Sequence, residues 1–243
     1  MRKKFTTFLL ILFTFPAFTQ TVDDIIKKNI EARGGYEKLK KLKTIKTEGL
    51  YIIGEEEVEF TMYQKRPNLI RQEGEYQGQK IIRAYDGKIA WTINPLMGSP
   101  DPQSLSGFEA EEVMAQSDFE GDIVDYKKKG NRAELIGKEE MEGTEVYKLR
   151  VTRKNGDVIY HYLDTDYCIE LKSTVVMNIN GEEVELDNYY SDYKEVDGVM
   201  IPHSIEGKIG GYTQYQIVID QVDFNVDVDD EIFRMPQESK IEH

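Results

Sequence analysis

The side chains in this sequence that could do chemistry are few, and their spacing suits little of it. His161, His203 and His243 are too scattered to form a metal site of recognisable ligand spacing. No Gly-x-Ser-x-Gly elbow, phosphate-cradling glycine loop or His-Glu-x-x-His is present. Asp220, Asp223, Asp227, Asp229 and Asp230 crowd together as calcium ligands would, but without the loop glycine and closing glutamate of an EF-hand. With 45 acidic residues in 243, paired carboxylates arise by abundance alone and single out no acid–base couple. Cys168 is the only cysteine, which excludes an intrachain disulfide and a thiolate pair for metal. It sits in a strand-like run and reads as a small buried hydrophobe. No catalytic residue, metal or cofactor is expected, and the chain reads as a non-enzyme. Function must then reside in the surface that the fold builds.

That fold is organised around Ile81 to Pro95. Asp86-Gly87 is a signal for a two-residue type I′ turn, which needs φ > 0 at both central positions. The flanking runs, Ile81 to Tyr85 and Lys88 to Asn94, are rich in β-branched and aromatic residues, and Pro95 ends the second. Similar runs occupy Thr44 to Ile53, Glu57 to Lys65 and Asn68 to Tyr76. In the second of these Val58, Phe60 and Met62 alternate with polar neighbours, as in a half-buried strand. Beyond the middle of the chain come Thr144 to Arg153 (with Tyr147, Leu149 and Val151 on one face), Asp157 to Leu163, Cys168 to Ile179, Glu183 to Tyr193, Val199 to Ile205 and Tyr212 to Gln221. Asn155-Gly156, Asn180-Gly181, Asp197-Gly198 and Gly210-Gly211 separate them. Roughly twelve strands with such turns make an antiparallel meander.

Helices are expected in three places. Thr21 or Asp23 caps a first, with Val22, Ile25, Ile26 and Ile30 at helical spacing until Gly34-Gly35 stops it. A second, from Tyr36, buries Leu39 and Leu42. A third runs from Phe108 to Ser117, with Phe108, Val113 and Met114 as its apolar contacts. Met97 to Ser106, with Pro100 and Pro102, reads as a loop, and Lys127-Lys128-Lys129-Gly130 as an exposed turn.

The N-terminus reads as a separate object. Arg2, Lys3 and Lys4 precede an apolar run from Phe5 to Phe18, and Ala17 and Thr19 occupy the −3 and −1 positions for cleavage before Gln20. This is the pattern of a secretory signal peptide over residues 1–19. The run is short for a membrane span and Pro16 interrupts it. Residues 20–243 then form one domain. Loss of three basic and no acidic side chains moves the formal charge from −14 to −17. Such a chain repels phosphate backbones, so no nucleic-acid partner is expected.

Two further stretches carry a resemblance. Lys65-Arg66-Pro67-Asn68-Leu69-Ile70 closes an alternating strand, and Asp86-Gly87-Lys88 is followed by Trp91 and Asn94-Pro95. Near the C-terminus stand Asp223-Phe224-Asn225, Phe233 and Met235-Pro236. Together they resemble the LolA-like family of periplasmic outer-membrane lipoprotein carriers. The resemblance implies an α+β, mainly antiparallel fold: an incomplete, open β-barrel with helices covering its concave apolar face. It implies a periplasmic, monomeric carrier of lipoprotein acyl chains or another lipid, with an inner-membrane transporter as donor and an outer-membrane acceptor. Arg66 would bond the lid backbone, and Ile70 would line the cavity. Val58, Phe60, Met62, Trp91 and Leu149 are the other candidate wall residues. The competing reading is a periplasmic module of the same fold that senses lipid or a membrane partner without transport.

Overall fold

The computed structural model describes residues 20–179 and 181–236. The leader expected over residues 1–19, the tail from 237 and His243 lie outside them. The first helix, α1 (Val22–Ala32), begins where the sequence signals it. Thr21 Oγ1 accepts from the Asp24 amide at 3.2 Å while the Asp24 carboxylate takes the Thr21 N–H at 3.0 Å, a capping box. Asp23 and Asp24 also suit the positive end of the helix dipole. Gly34 follows with φ +115°, and a Cβ there would lie 2.3 Å from the Gly198 carbonyl oxygen. Only glycine lets the turn into α2 (Tyr36–Lys41) rest on the backbone at Gly198 and Val199.

Six strands follow: β1 (Thr44–Ile53), β2 (Glu56–Lys65), β3 (Leu69–Tyr76), β4 (Gln79–Tyr85), β5 (Ala90–Asn94) and β6 (Ser99–Ser104). After α3 (Gly107–Gln116) come β7 (Arg132–Met141), β8 (Thr144–Thr152), β9 (Val158–Asp164), β10 (Glu170–Ile179), β11 (Glu182–Val196), β12 (Val199–Ile209) and β13 (Tyr212–Phe224). All pairings are antiparallel, in the order β6-β5-β4-β3-β2-β1-β13-β12-β11-β10-β9-β8-β7. Two meanders are thus stitched together at β1 and β13, and β6 and β7 do not meet. The sheet is an open barrel.

Several local expectations need correction. Asp86-Gly87 is not a two-residue turn: residues 86–89 connect β4 to β5, and Asp86 Oδ1 accepts from the Lys88 and Ile89 amides, each at 2.8 Å. An Asx-type turn has replaced the left-handed pair. The expected loop at 97–106 contains β6. Pro100 and Pro102 lack donors, which an edge strand tolerates because one side of its ladder is unpaired. The charged stretch before Gly143 forms the other edge strand, β7, bringing the count among the described residues to thirteen. Cys168 is buried but lies in the turn before β10, at φ +57°. On α3, Phe108 and Met114 face solvent, and Ala110 and Val113 make the buried contacts.

The register shows which residues share a face. Ile45, Gln64, Ile70, Tyr85 and Ala90 lie side by side across β1 to β5. Leu149, His161, Ser173, Asn188, Gly207 and Tyr215 do the same across β8 to β13. This is the concave face, and the helices cover it. Ile25 and Ile26 of α1 pack on Tyr147, Leu149 and Leu163. Leu39 of α2 and Leu42 just after it pack on Ile45, Ile219 and Val222. Ala110 and Val113 of α3 pack on Ile70, Tyr85 and Ala90. Full burial of such aliphatic side chains stabilises by about 1.5–3 kcal/mol each.

Candidate functional site

The connection from β6 to β7 joins the two free edges by crossing the concave face. It carries α3 and then a strap, residues 117–131, whose Ile123 and Val124 are buried against the α1 and α2 clusters. Beneath and beside this lid, the concave wall formed by β11–β13 and β1–β2 remains half open. Tyr51, Val58, Phe60, Ile205, Tyr215 and Ile217 are each half-buried there, and the Tyr51 and Tyr215 rings stack 5.4 Å apart. The wall offers apolar area fringed by phenols.

The strap is held down electrostatically. Glu120, whose side chain is 5% exposed, accepts from Arg66 at 2.5 Å and from Lys40 at 2.7 Å. Arg66 also donates to the Leu42 carbonyl from Nε at 2.6 Å and to the Leu39 carbonyl from Nη2 at 3.0 Å. Its guanidinium lies 4.8 Å from the Phe119 ring centroid. Strand end, helix end and strap therefore meet at one side chain. Lys40 continues to Asp125 at 2.7 Å, where Lys128 and the Tyr36 hydroxyl also donate. Asp23 of α1 accepts from Tyr126 and Lys127, each at 2.8 Å, and Lys129 pairs with Asp118. At the far end Arg153 grips both oxygens of Asp122 at 2.6 and 2.9 Å.

These contacts move the titrations. Burial works against ionisation of Asp125, but hydrogen bonds from Lys40, Lys128 and Tyr36 hold its carboxyl at about 2, below the usual 3.8. Burial likewise opposes ionisation of Glu120, and Lys40 and Arg66 outweigh it. The same contest at Asp122 is decided by Arg153.

The residues picked out by sequence divide between the two faces. Val58, Phe60, Met62, Ile70 and Leu149 all face the concave side. Val58 and Phe60 belong to its open part, and Met62 is partly buried against the α3 cluster. Ile70 and Leu149 are fully buried under α3 and α1. Trp91 has to be removed from the wall. It pairs with Ala84, one residue out of phase with Tyr85 and Ala90, and so points to the opposite face. There it packs with Ile82 and Ala84 under the C-terminal segment, and its Nε1 donates to the Phe233 carbonyl at 2.8 Å. Sequence reasoning missed Glu120, Asp122 and Asp125, most of whose partners (Lys40, Arg66, Arg153 and Tyr36) lie far away along the chain. Among the described residues, no group of three or more His, Cys, Asp or Glu side chains is arranged to hold a metal ion. Of the acidic cluster, Asp229 caps a 3-10 turn and Asp230 pairs with Lys65.

No protein-family model and no curated protein matches the sequence. Solved structures do. A DUF1329 family protein from Desulfovibrio piger has a TM-score of 0.63 at 14% identity, covering 89% of this chain and 98% of its own. A LolA superfamily protein from Nitrosomonas europaea has a TM-score of 0.60 at 15% identity, covering 88% of this chain and 97% of its own. The fold is LolA-like. A third structure of this LolA-like fold, a proposed outer membrane lipoprotein-sorting protein domain from Vibrio parahaemolyticus, gives 0.57 at 14% identity, with coverage of 86% and 94%. At these identities the likeness is one of fold.

Proposed function

We propose that this protein is an exported, non-enzymatic carrier that shelters the acyl chains of lipoproteins, or of another lipid, between membranes. One observation carries the reading: an apolar concave wall, half-exposed around Tyr51, Val58, Phe60 and Ile217, lies under a lid fastened by polar contacts at its rim. Moving one CH₂ out of water is worth about 0.8 kcal/mol, so a palmitoyl chain laid on such a wall gains on the order of 10 kcal/mol. Without an escort, that chain would not cross an aqueous compartment. The lid fits release, because its contacts can be broken without disturbing the strand ladders. The lipoprotein-sorting domain of the same fold supports the cargo class. The leader-like N-terminus supports export to the periplasm, and no helix among the described residues is long and apolar enough to cross a membrane. An inner-membrane transporter and an outer-membrane receptor are the partners this role needs.

The test is a bromine-quenching titration in a Phe60→Trp, Trp91→Phe protein. A brominated fatty acid should quench the new tryptophan saturably, and an unbrominated chain should reverse the quenching. In the parent protein Trp91, on the far face, should respond weakly. Absence of saturable binding in both proteins would end the carrier reading.

A further inference from the structure

A row of polar side chains, interrupted by Gly207, crosses the concave wall among its aliphatic and aromatic residues. His161, Ser173, Asn188, Gly207 and Tyr215 occupy matched positions on β9 to β13. Each hydroxyl and amide in it has a partner. Ser173 Oγ is 2.8 Å from the Tyr190 hydroxyl, and the Tyr215 hydroxyl donates to Asn188 Oδ1 at 2.5 Å. Tyr215 reaches over Gly207 to do so, and a Cβ on Gly207 would lie 2.4 Å from its ring. Asp122 and Arg153 close the near end, and Tyr193 donates to the Glu170 carbonyl at 2.6 Å. One valence is left over. His161 is 6% exposed and its Nδ1 is 2.6 Å from Glu170 Oε1, while its Nε2 is buried with no partner.

A buried polar atom without a hydrogen bond costs about 1–3 kcal/mol, so such atoms ordinarily have a reason to be there. Glu170 is a carboxylate that can only accept, which places the imidazole proton on Nδ1. Neutral His161 therefore presents Nε2 as an acceptor. In the imidazolium, Nε2–H donates instead. A hydroxyl group satisfies both states, whereas an ether or ester oxygen satisfies only the charged one. The polar row leads to this atom from Tyr215 and Tyr190, which are half-buried on the open part of the wall. We propose that His161 Nε2 is the headgroup contact of the cargo site, and that it selects amphiphiles carrying a hydroxyl beside the acyl chain. The inference rests on the carrier reading and specifies which part of a lipid that site distinguishes.

Burial opposes protonation of His161, but Glu170 outweighs it and raises the pKa. The experiment therefore compares 1-dodecanol with dodecyl methyl ether on the mature protein at pH 10, by displacement of a fluorescent fatty acid. The alcohol should bind about 5- to 10-fold more tightly, the worth of one hydrogen bond. The Nε2 nitrogen resonance of His161 should move with the alcohol and stay with the ether. His161→Phe should bind both alike, with the affinity of the parent for the ether. If that variant fails to fold, the nitrogen resonance of the parent decides alone. Equal binding of both probes with an unmoved resonance would mean that Nε2 holds only a structural water, and would overturn this site while leaving the carrier intact. A preference that survives in His161→Phe overturns it too. If neither probe nor the fluorescent fatty acid binds, the carrier reading fails first.

Discussion

Replacing Arg66 by leucine should open the lid. The guanidinium makes two bonds to helix-end carbonyls and one to a carboxylate, and it is 30% exposed. Hydrogen bonds to charged groups contribute about 1.5–3 kcal/mol each, but they are not additive and partial exposure screens them. Lys40 also remains to neutralise Glu120. A net loss of about 3 kcal/mol in lid closure follows, or a roughly 100-fold larger open population and correspondingly faster exchange. Hydrogen exchange read by mass spectrometry should show that acceleration in peptides covering residues 36–43 and 117–123. The ladders of β8 to β12 should keep their protection. Arg66→Lys keeps a charge near Glu120 but cannot fork to the two carbonyls, so it should fall between parent and leucine variant. Exchange within twofold of the parent in residues 36–43 of the leucine variant would refute the latch and reduce Arg66 to a surface charge.

The remaining predictions concern the strap, the far face and the wall. Because the folded Asp125 carboxyl sits at about 2 against the usual 3.8, its contribution to strap closure is complete above pH 4. That contribution is lost as the pH falls toward 2. Pepsin cleavage within 117–131 should therefore rise over that window in the parent and rise less in Asp125→Asn; identical profiles would dismiss the role of Asp125. Trp91→Phe should leave fatty-acid affinity unchanged while lowering stability by about 1–3 kcal/mol through loss of the bond to Phe233, as urea melts would show. Weakened fatty-acid binding would restore Trp91 to the site. Leu149→Ala, under α1, should cost about 2–5 kcal/mol in the same melts. A change below 1 kcal/mol would mean that α1 does not close over β8.

Legibility followed the range of the interactions. The N-terminal start of α1 at one of its two candidate caps, Thr21, the Asp197-Gly198 and Gly210-Gly211 turns and the alternation in β2 are local, and they appear where the sequence signals them. β6 and β7 were obscured because edge strands tolerate proline and charge, which are also marks of loops. The face of Trp91 was not readable. Both sides of β5 are covered, by α3 on one and by the C-terminal segment on the other, so neither Trp91 nor Ala90 carries a local signature of inside. Arg66 came from a family resemblance; nothing in the spacing around it points to Leu39, Leu42 or Glu120. The polar row demanded a register held across five strands before His161 and Tyr215 could be seen as one feature.

The seam between β1 and β13 has a consequence in time. Every other ladder in the sheet joins strands that are neighbours in sequence, so hairpins can zip as the chain appears. The seam instead brings Ile45 against Phe224, nearly the whole described chain apart. A chain emerging amino end first would hold β1 with one edge bare until β13 arrives. Until then the wall that β1 contributes has no second half to enclose anything. Closure of the seam, not formation of either meander, should be the slow step of refolding, and binding competence should appear with it. Stopped-flow refolding followed at the Tyr51–Tyr215 stack, which spans the seam, would time that event.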